Sequence, residues 1–289
     1  MDKAERLALL EQFNIEDKDI LVLTKHEYDI ADVETKHKKI VLNIDSEDYL
    51  KLLNDKFSTA NSKVYAQIQK HKELGYPQFF NFIGIGQSGK SIGNLNLLFW
   101  TNNTIEYKQY NTFSLTEFLY RIKTYKKSYI SLEEAERVLR SFEYSKEREV
   151  SNVILDFYDT IPYLQNILSI TQPSMRLLTR LKPKLDFVFN FVQRGIANVY
   201  SVVSNIHNER IYFHNTKERF YSIPIPIQIY ADYERDSYMT KQKLLTEDIK
   251  KIETYIKEYS LSFAVLNSFY VIAIGIKIAI LKVHKDVIV

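Results

Sequence analysis

A glycine-rich segment followed by a lysine and a serine carries the clearest chemical meaning in this sequence. Gly84, Gly89, Lys90 and Ser91 stand in the spacing G-x-x-x-x-G-K-S. Glycines allow the backbone to curl so that successive N–H groups point at phosphate oxygens, at the positive end of the following helix. The spacing therefore predicts a phosphate-binding loop, with the Lys90 ammonium on the β and γ phosphates and the Ser91 hydroxyl on Mg²⁺.

The segments on both sides of this loop have the patterns that the motif requires. The apolar run Phe79–Ile83 predicts a strand that leads into the loop, and Ser91–Trp100 predicts the helix that follows it. Backbone N–H groups of the intervening residues would complete the ring of phosphate donors. We therefore predict that ATP with Mg²⁺ is the ligand and that its phosphates contact Gly84, Ile85, Gly86, Gln87, Ser88, Gly89, Lys90 and Ser91.

Three of the loop glycines also permit a different interpretation. Gly84, Gly86 and Gly89 spell G-x-G-x-x-G, the signature with which Rossmann-like sheets bind a dinucleotide or the methyl donor S-adenosylmethionine. That interpretation expects an acidic residue at the end of the next strand, where it holds a ribose. The candidate, Glu106, lies inside the predicted strand Thr104–Tyr110 and not at its end. The methyl-donor alternative therefore stays open, with less support.

A second acidic motif lies downstream of the loop. Val153–Asp156 reads V-I-L-D, an apolar run that ends in a carboxylate, and Asp156 would hold Mg²⁺ as in a Walker B motif. Many hydrolysing ATPases carry Glu directly after this Asp to orient the attacking water, but this sequence has Phe157. A phenyl ring cannot accept a proton. We therefore expect ATP binding with weak or no hydrolysis, unless Asp159 or a partner's residue substitutes.

Two further polar residues are candidates for contact with the nucleotide. Asn205 ends the apolar run Asn198–Asn205 and is a candidate γ-phosphate sensor, although an Asn after a strand is usually a turn residue. Arg219 precedes another apolar run and is a candidate contact with the nucleotide of a neighbouring subunit. Its ordinary interpretation is a solvated surface residue.

Hydrophobic periodicity and capping patterns predict alternating strands and helices, which implies a parallel sheet flanked by helices. Capping boxes stand at Ser114 with Glu117 and at Ser131 with Glu134. The predicted strands are Ile20–Leu23, Ile40–Ile44, Phe79–Ile83, Thr104–Tyr110, Asn152–Asp156, Val199–Ser204 and Ile223–Tyr230. The predicted helices are Asp2–Phe13, Ser46–Glu73, Ser91–Trp100, Ser114–Tyr125, Ser131–Ser141, segments across Tyr163–Gln193, and Lys241–Lys257.

Composition limits the classes of function. The 289 residues suit one α/β domain with additions, and the absence of cysteine excludes disulfides, thiolate chemistry and cysteine-ligated metals. Six scattered histidines form no pair at metal-ligand spacing. A net charge of +3 neither requires nor excludes nucleic acid. The charged N-terminal helix pattern is unlike a signal peptide, so we expect an intracellular protein.

The order of these motifs resembles the AAA+ subunits of the eukaryotic origin recognition complex, most closely the family of its fifth subunit. The segments that carry the resemblance are I-E-Y-K-Q-Y-N-T-F-S-L-T-E-F-L-Y-R-I at Ile105–Ile122 and the strand-to-lid junction at Ile227–Tyr238. It covers about Phe79–Leu245. The resemblance implies an AAA+ ATPase domain with a helical lid, in a hetero-oligomeric nuclear assembly of AAA+ subunits that grips origin DNA with ATP. Only about 45 residues follow Leu245, so we expect the winged-helix domain of that family to be missing or reduced.

The resemblance divides the chain into three parts: a mostly helical leader (1–75), the AAA+ nucleotide-binding domain (76–238) and a short helical lid or truncated C-terminal region (239–289). The last part contains an apolar run, Leu261–Leu281, that is long enough to span a membrane. Asn267, Ser268 and Lys277 within the run favour a buried lid element instead, so we expect no membrane.

A viral or plasmid P-loop ATPase that packages or moves DNA is the other P-loop alternative. Robust stimulated hydrolysis would favour it, and Phe157 argues against it.

Overall fold

The computed structural model describes residues 19–30, 38–136, 164–175, 182–205 and 210–258. Internal packing divides the chain into two units, Met1–Ser237 and Tyr238–Val289. In the described residues, the first unit is an α/β structure built on a sheet of seven strands. The described part of the second unit continues a long helix that begins at Ile227 and ends at Glu258.

Helices and a small parallel sheet precede the glycine-rich loop, which we define as residues Gly84–Ser91. The elements are β1 (Ile20–Leu23), α1 (Lys25–Ile30), β2 (Lys39–Leu42), α2 (Ser46–Thr59) and α3 (Ser62–Glu73). Strands β1 and β2 were both predicted from the sequence, and they pair in parallel. The predicted helix Ser46–Glu73 is two helices, because the buried Asn61 between them bonds the backbone of Tyr221 through both its amide atoms, at 2.8 and 3.1 Å.

The described part of the predicted leader shares its core with the sheet that follows. The backbone N–H of Leu42 donates to the Ile225 carbonyl at 2.9 Å, and the Tyr49 hydroxyl accepts from Asn96 at 2.9 Å. Buried side chains of β2 and α2 belong to the same apolar cluster as those of the central strands. Residues 38–73 are therefore built into the first unit.

The large sheet places the strand before the glycine-rich loop at its centre. Its members in spatial order are β4 (Asn111–Thr112), β5 (Tyr129–Leu132), β6 (Ile167–Gln172), β3 (Gln78–Gly84), β7 (Phe187–Gln193), β8 (Ile196–Asn205) and β9 (Arg210–Tyr221). The first five are parallel, and β8 and β9 add an antiparallel edge. The predicted parallel sheet flanked by helices is thus confirmed at the level of an α/β fold.

Local signals predicted the elements nearest the loop. Strand β3, helix α4 (Lys90–Asn102) and helix α6 (Leu115–Thr124) agree with prediction, and the Ser114 hydroxyl accepts from the Glu117 N–H as its cap. Strand β8 contains the predicted Val199–Ser204, and helix α7 (Ile227–Glu258) contains the predicted Lys241–Lys257.

Several other predicted elements are wrong. The predicted helix Ser131–Ser141 begins inside β5, and the predicted helical region Tyr163–Gln193 contains β6 and β7. Strands buried on both faces show no polar alternation, so their apolar runs cannot be told from helices by periodicity. The predicted strand Thr104–Tyr110 is helix α5 (Tyr107–Tyr110) with the two-residue β4 after it. Helix α7 begins at Ile227, inside the predicted strand Ile223–Tyr230, and an isolated bridge between Pro226 and Leu42 precedes it.

Some predictions concern residues outside the described part of the chain. These are the helix Asp2–Phe13, the strand Asn152–Asp156 with Phe157, and the apolar run Leu261–Leu281. Among the described residues, no helix is both long and apolar enough to cross a membrane.

Aromatic packing fixes the centre of the sheet on the face that carries α4. The Phe82 and Phe189 rings stack with their centroids 4.6 Å apart, and Phe220 meets Phe189 edge-on at 5.2 Å. All three side chains are fully buried. A second apolar cluster, which includes Phe118, Ile130 and Leu168, covers the opposite face. The carboxyl end of β3 therefore projects from a rigid base.

Candidate functional site

The glycine-rich loop joins the carboxyl end of β3 to the first turn of α4. Gly84 and Gly89 have positive φ angles, +147° and +93°, which side chains rarely adopt. A Cβ at Gly84 would lie 2.9 Å from the Phe191 carbonyl oxygen, and one at Gly89 would lie 3.0 Å from the Gly195 nitrogen. Both positions therefore require glycine, as the motif predicts.

The turn between β7 and β8 and the residue after β9 contact the loop from one side. The Gly195 N–H donates to the Ser88 carbonyl at 2.9 Å, and the Ser222 hydroxyl donates to the Gly89 carbonyl at 3.4 Å. The Lys90 ammonium donates to the carbonyls of Gly84 and Ile85, at 2.9 and 3.0 Å. The Lys90 ammonium is thus held inside the curl of the loop, at the amino end of α4, where negative phosphate oxygens are favoured.

Ser91 connects the loop to an acidic residue that the sequence analysis did not assign. Its hydroxyl donates to Oε2 of Glu133 at 3.0 Å, and the Asn94 amide donates to Oε1 of Glu133 at 2.9 Å. Glu133 directly follows the parallel strand β5, and the Thr171 hydroxyl of the neighbouring strand β6 also bonds its carboxylate. Glu133 therefore occupies the position beside Ser91 that the sequence analysis gave to Asp156, which lies outside the described residues.

Buried polar groups form a hydrogen-bond network around Asn94, which bonds Glu133. The side chain of Asn94 donates to Ser131 and Glu133, and its carbonyl oxygen accepts from the hydroxyls of Tyr129 and Ser169, each at 2.7 Å. Burial raises the pKa of Glu133, although hydrogen bonds from Thr171, Asn94 and Ser91 oppose the shift. A nearby cation would stabilise the charged carboxylate in this enclosed position.

The oxygens gathered at Ser91 and Glu133 fit a hard divalent cation. A hydroxyl and a carboxylate are the side chains that commonly accompany Mg²⁺ at a triphosphate, where phosphates and water supply the other ligands. Within the described residues, no cluster of three His, Asp or Glu side chains is placed to hold a metal ion by itself.

The next residue, Glu134, is a second carboxylate at the same edge. Its backbone has a positive φ of 54°, unusual for glutamate, and its N–H donates to the Thr171 hydroxyl at 3.1 Å. The side chain is half-buried. Glu134 directly follows Glu133, in the position relative to Glu133 that Phe157 has relative to Asp156. Phe157 lies outside the described residues, and the expectation of weak hydrolysis stays a prediction.

Gln172 is the polar residue at the end of β6, between β5 and the loop strand. It pairs with Ile83, is 1% exposed, and neither polar atom of its side chain has a partner among the described residues. Unpaired buried amides are costly and often lie at functional positions. Gln172 is therefore a candidate contact for a terminal phosphate.

Asn205, the residue predicted for that role, lies elsewhere. Strand β8 runs antiparallel to β7, so its carboxyl end lies at the end of the sheet that is opposite to the glycine-rich loop. Arg219 is exposed on the edge strand β9, where it pairs with Asn198. Strand β9 ends at Tyr221 and the next residue, Ser222, contacts Gly89, so Arg219 lies three residues from a contact with the loop. The structure thus brings the loop residues together with Glu133, Glu134 and Gln172, and leaves Asn205 apart.

Helix α7 contributes a tyrosine to the same place. Tyr233 is 4% exposed, burial and the nearby Glu133 carboxylate raise its pKa, and its ring packs edge-on against Tyr107 with centroids 5.9 Å apart. The sequence analysis missed this contact because it predicted a strand over the first turn of α7.

Comparisons of the chain with protein-family models, with curated proteins and with solved structures found no match. The functional interpretation therefore rests on the geometry of the site.

Proposed function

We propose that this chain binds a nucleoside triphosphate with Mg²⁺ and hydrolyses it. The observation that carries the proposal is the 3.0 Å hydrogen bond between Ser91 and Glu133. It joins the serine of a G-x-x-x-x-G-K-S loop to a carboxylate at the end of a parallel strand, the pairing from which P-loop NTPases build their Mg²⁺ site.

Each residue at the loop edge then has a distinct role. Backbone N–H groups of the loop and the Lys90 ammonium bind the phosphates, and Ser91 and Glu133 hold Mg²⁺, Glu133 through bound water. Glu134 accepts a proton from the attacking water, and Gln172 donates to the terminal phosphate. The metal, where bound, neutralises charge on the β and γ phosphates.

The strand order favours this function over methyl-donor binding. In the Rossmann order, the strand that follows the glycine loop pairs with the strand that precedes it. Here β3 lies between β6 and β7, and the next strand along the chain, β4, is at the far edge. Glu106 precedes α5 and does not end a strand beside β3, so it lacks the position expected of a ribose ligand.

We propose two cellular roles that are compatible with this chemistry, and each has its own supporting observation. The resemblance proposes an AAA+ subunit of a nuclear replication initiator, acting with other AAA+ subunits on DNA. Glu134 favours the second candidate, a P-loop ATPase that packages or moves DNA, because that class depends on turnover. Turnover that rises several-fold when DNA is added would support the second candidate, and DNA binding in a hetero-oligomer with slow turnover would support the first.

The first experiment is equilibrium binding of labelled ATP to the purified chain, with and without Mg²⁺, beside S-adenosylmethionine. We expect Mg²⁺-dependent ATP binding that Lys90→Ala abolishes, whereas Lys70→Ala, at an exposed position on α3, leaves it unchanged. Binding of the methyl donor alone, or equal ATP affinity in the two variants, would refute the proposed site.

A further inference from the structure

Lysines gather at the end of the sheet opposite to the glycine-rich loop. Strands β5, β6 and β3 begin in register, at Tyr129, Ile167 and Gln78. Strand β7 begins two residues further along, where Phe187 pairs with Phe80. The segments before these strands, which include the last turns of α3 and α6, therefore lie side by side. Six of their lysines form what we call the lysine surface: Lys70, Lys123, Lys126, Lys127, Lys182 and Lys184.

Positive charge is concentrated on this surface relative to the whole chain. Lys182 and Lys184 are partly exposed, and the other four lysines are exposed. The surrounding segments are residues 70–77, 123–128, 164–166 and 182–186. A seventh lysine there, Lys72, donates to the Thr101 carbonyl near the end of α4 at 3.1 Å. Even without it, six lysines against two carboxylates give a balance of +4, whereas the whole chain has a net charge of +3. Such a local excess attracts a polyanion.

The two carboxylates of these segments have other partners. Glu73 accepts from the Gln69 amide at 3.1 Å, and Asp186 accepts from the Phe79 N–H at 2.7 Å. Among the described residues, none of the four exposed lysines forms an ion pair with a carboxylate. Their ammonium groups therefore face solvent, where a polyanion can reach them.

Hydrogen bonds between the segments hold the lysine surface in place. The side chain of the buried Asn166 accepts from the Ser128 N–H at 3.1 Å and donates to the Tyr125 carbonyl at 2.8 Å. The Lys127 N–H donates to the Leu164 carbonyl at 2.8 Å. The backbone that carries the lysines is thus ordered before any ligand binds, which lowers the entropic cost of binding.

The spacing of the lysines fits the two backbones of a DNA duplex. Lys126 and Lys127 precede β5, and Lys182 and Lys184 precede β7, three strand positions away. Neighbouring strands lie about 4.8 Å apart, so the two lysine pairs are separated by roughly 14 Å. The major groove of B-DNA is about 12 Å wide. Each pair can therefore reach one of the phosphate backbones that border the groove.

We propose that the lysine surface binds the phosphate backbones of double-stranded DNA. Lysine contacts phosphate as a point charge and phosphate contacts carry no sequence information, so we expect no sequence preference. The inference goes beyond the proposed nucleotide binding and does not depend on it. It places DNA at the end of the sheet opposite to the glycine-rich loop, so DNA and nucleotide would bind at the same time.

The test is the salt dependence of binding to a short labelled DNA duplex, measured by fluorescence anisotropy with the full chain and no nucleotide. Each phosphate contact changes the slope of log affinity against log salt by about 0.9. We expect Lys126→Gln combined with Lys182→Gln to make the slope shallower by about 2. The affinity should also fall roughly tenfold or more at about 0.1 M salt.

Lys25→Gln combined with Lys51→Gln is the matched control, because it removes the same charge from exposed positions on α1 and α2. It should keep the wild-type slope. Equal slopes in the two double variants, or no binding of the duplex by the wild type at about 50 mM salt, would overturn the inference. Weaker binding of the first double variant to anionic phosphatidylserine vesicles, with its DNA binding unchanged, would assign the surface to a membrane and overturn it too.

Mg²⁺–ATP binding and circular dichroism of the same variants complete the test. Both double variants should keep the wild-type spectrum and the wild-type affinity for Mg²⁺–ATP, since the exchanged lysines are not part of the glycine-rich loop. A selective loss of nucleotide affinity in Lys126→Gln with Lys182→Gln would place the lysine surface in the nucleotide site and contradict the inference.

Discussion

At the scale of single residues, the candidate site depends on a buried carboxylate. Glu133 accepts hydrogen bonds from Ser91, Asn94 and Thr171 and is buried, so its neighbours compensate for part of the cost of removing it from water. A divalent cation at Ser91 would supply the remaining compensation. In the proposed site, folding would therefore fix the side chains of Ser91 and Glu133 before Mg²⁺ binds.

Glu133→Gln tests this role without leaving a cavity. The amide can keep the contacts of the carboxylate, because the hydroxyls of Ser91 and Thr171 can each turn to accept a hydrogen bond. We expect ATP affinity in the absence of metal to change little and the gain in affinity with Mg²⁺ to fall about tenfold or more. Titration of Mg²⁺ against labelled ATP measures both quantities. A variant that retains the full gain would exclude Glu133 from the metal site.

Glu134→Gln separates binding from chemistry. An amide cannot take a proton from water, so turnover should fall by about 100-fold or more while ATP affinity stays near the wild-type value. A steady-state phosphate-release assay beside the binding assay measures the two effects. Glu73→Gln, an exposed substitution on α3, is the control and should leave turnover unchanged. Undiminished turnover in Glu134→Gln would assign the proton acceptor to another residue.

At the scale of elements, the end of β9 is fixed to the helices that precede the loop. Asn61 lies between α2 and α3, and its amide pairs with both the N–H and the carbonyl of Tyr221. The next residue, Ser222, contacts Gly89 of the loop. The Asn61 side chain therefore links the leader to the end of β9, next to the residue that contacts the glycine-rich loop.

Asn61→Ala should destabilise the first unit because it leaves two backbone groups of Tyr221 without their partners. We expect the free energy of unfolding to fall by about 2 kcal/mol or more. Urea unfolding, followed by circular dichroism, measures the change. Asn54→Ala is the control, since the exposed Asn54 amide bonds the Leu50 carbonyl of its own helix and no other group among the described residues, so its loss should cost little. Equal stability of the two variants would mean that the link at Asn61 contributes nothing.

The same elements show which parts of the fold could be predicted from the sequence. The glycine-rich loop, β3 and the cap at Ser114 follow from local spacing, which needs no knowledge of distant contacts. The acidic partner could not be chosen locally, because two apolar runs end in an acid, at Glu133 and at Asp156. Ser131 with Glu134 has the spacing of a helix cap, and this favoured a helix where β5 forms.

At the scale of the whole molecule, sheet order decides which predicted residues can share a site. Because β5, β6 and β3 are parallel, their carboxyl ends lie together at one end of the sheet. Strand β8 runs in the opposite direction, so Asn205 lies at the other end. Pattern alone cannot give this order, since it depends on pairing between strands distant in sequence. Strand β9 runs antiparallel to β8, so it returns toward the end of the sheet that carries the loop, and Arg219 lies near that end.

The position of Arg219 on an exposed edge strand predicts a contribution to a neighbouring subunit's site. If copies of the chain supply this arginine to one another, Arg219→Ala and Glu134→Gln should each be inactive alone, because each assembly lacks one group at every site. An equimolar mixture should regain part of the turnover, since some interfaces then combine an intact arginine with an intact glutamate. Phosphate release by the mixed chains, compared with each variant alone, measures the recovery. Full activity of Arg219→Ala alone would remove Arg219 from the chemistry, and an inactive mixture would rule out exchange of this arginine between copies.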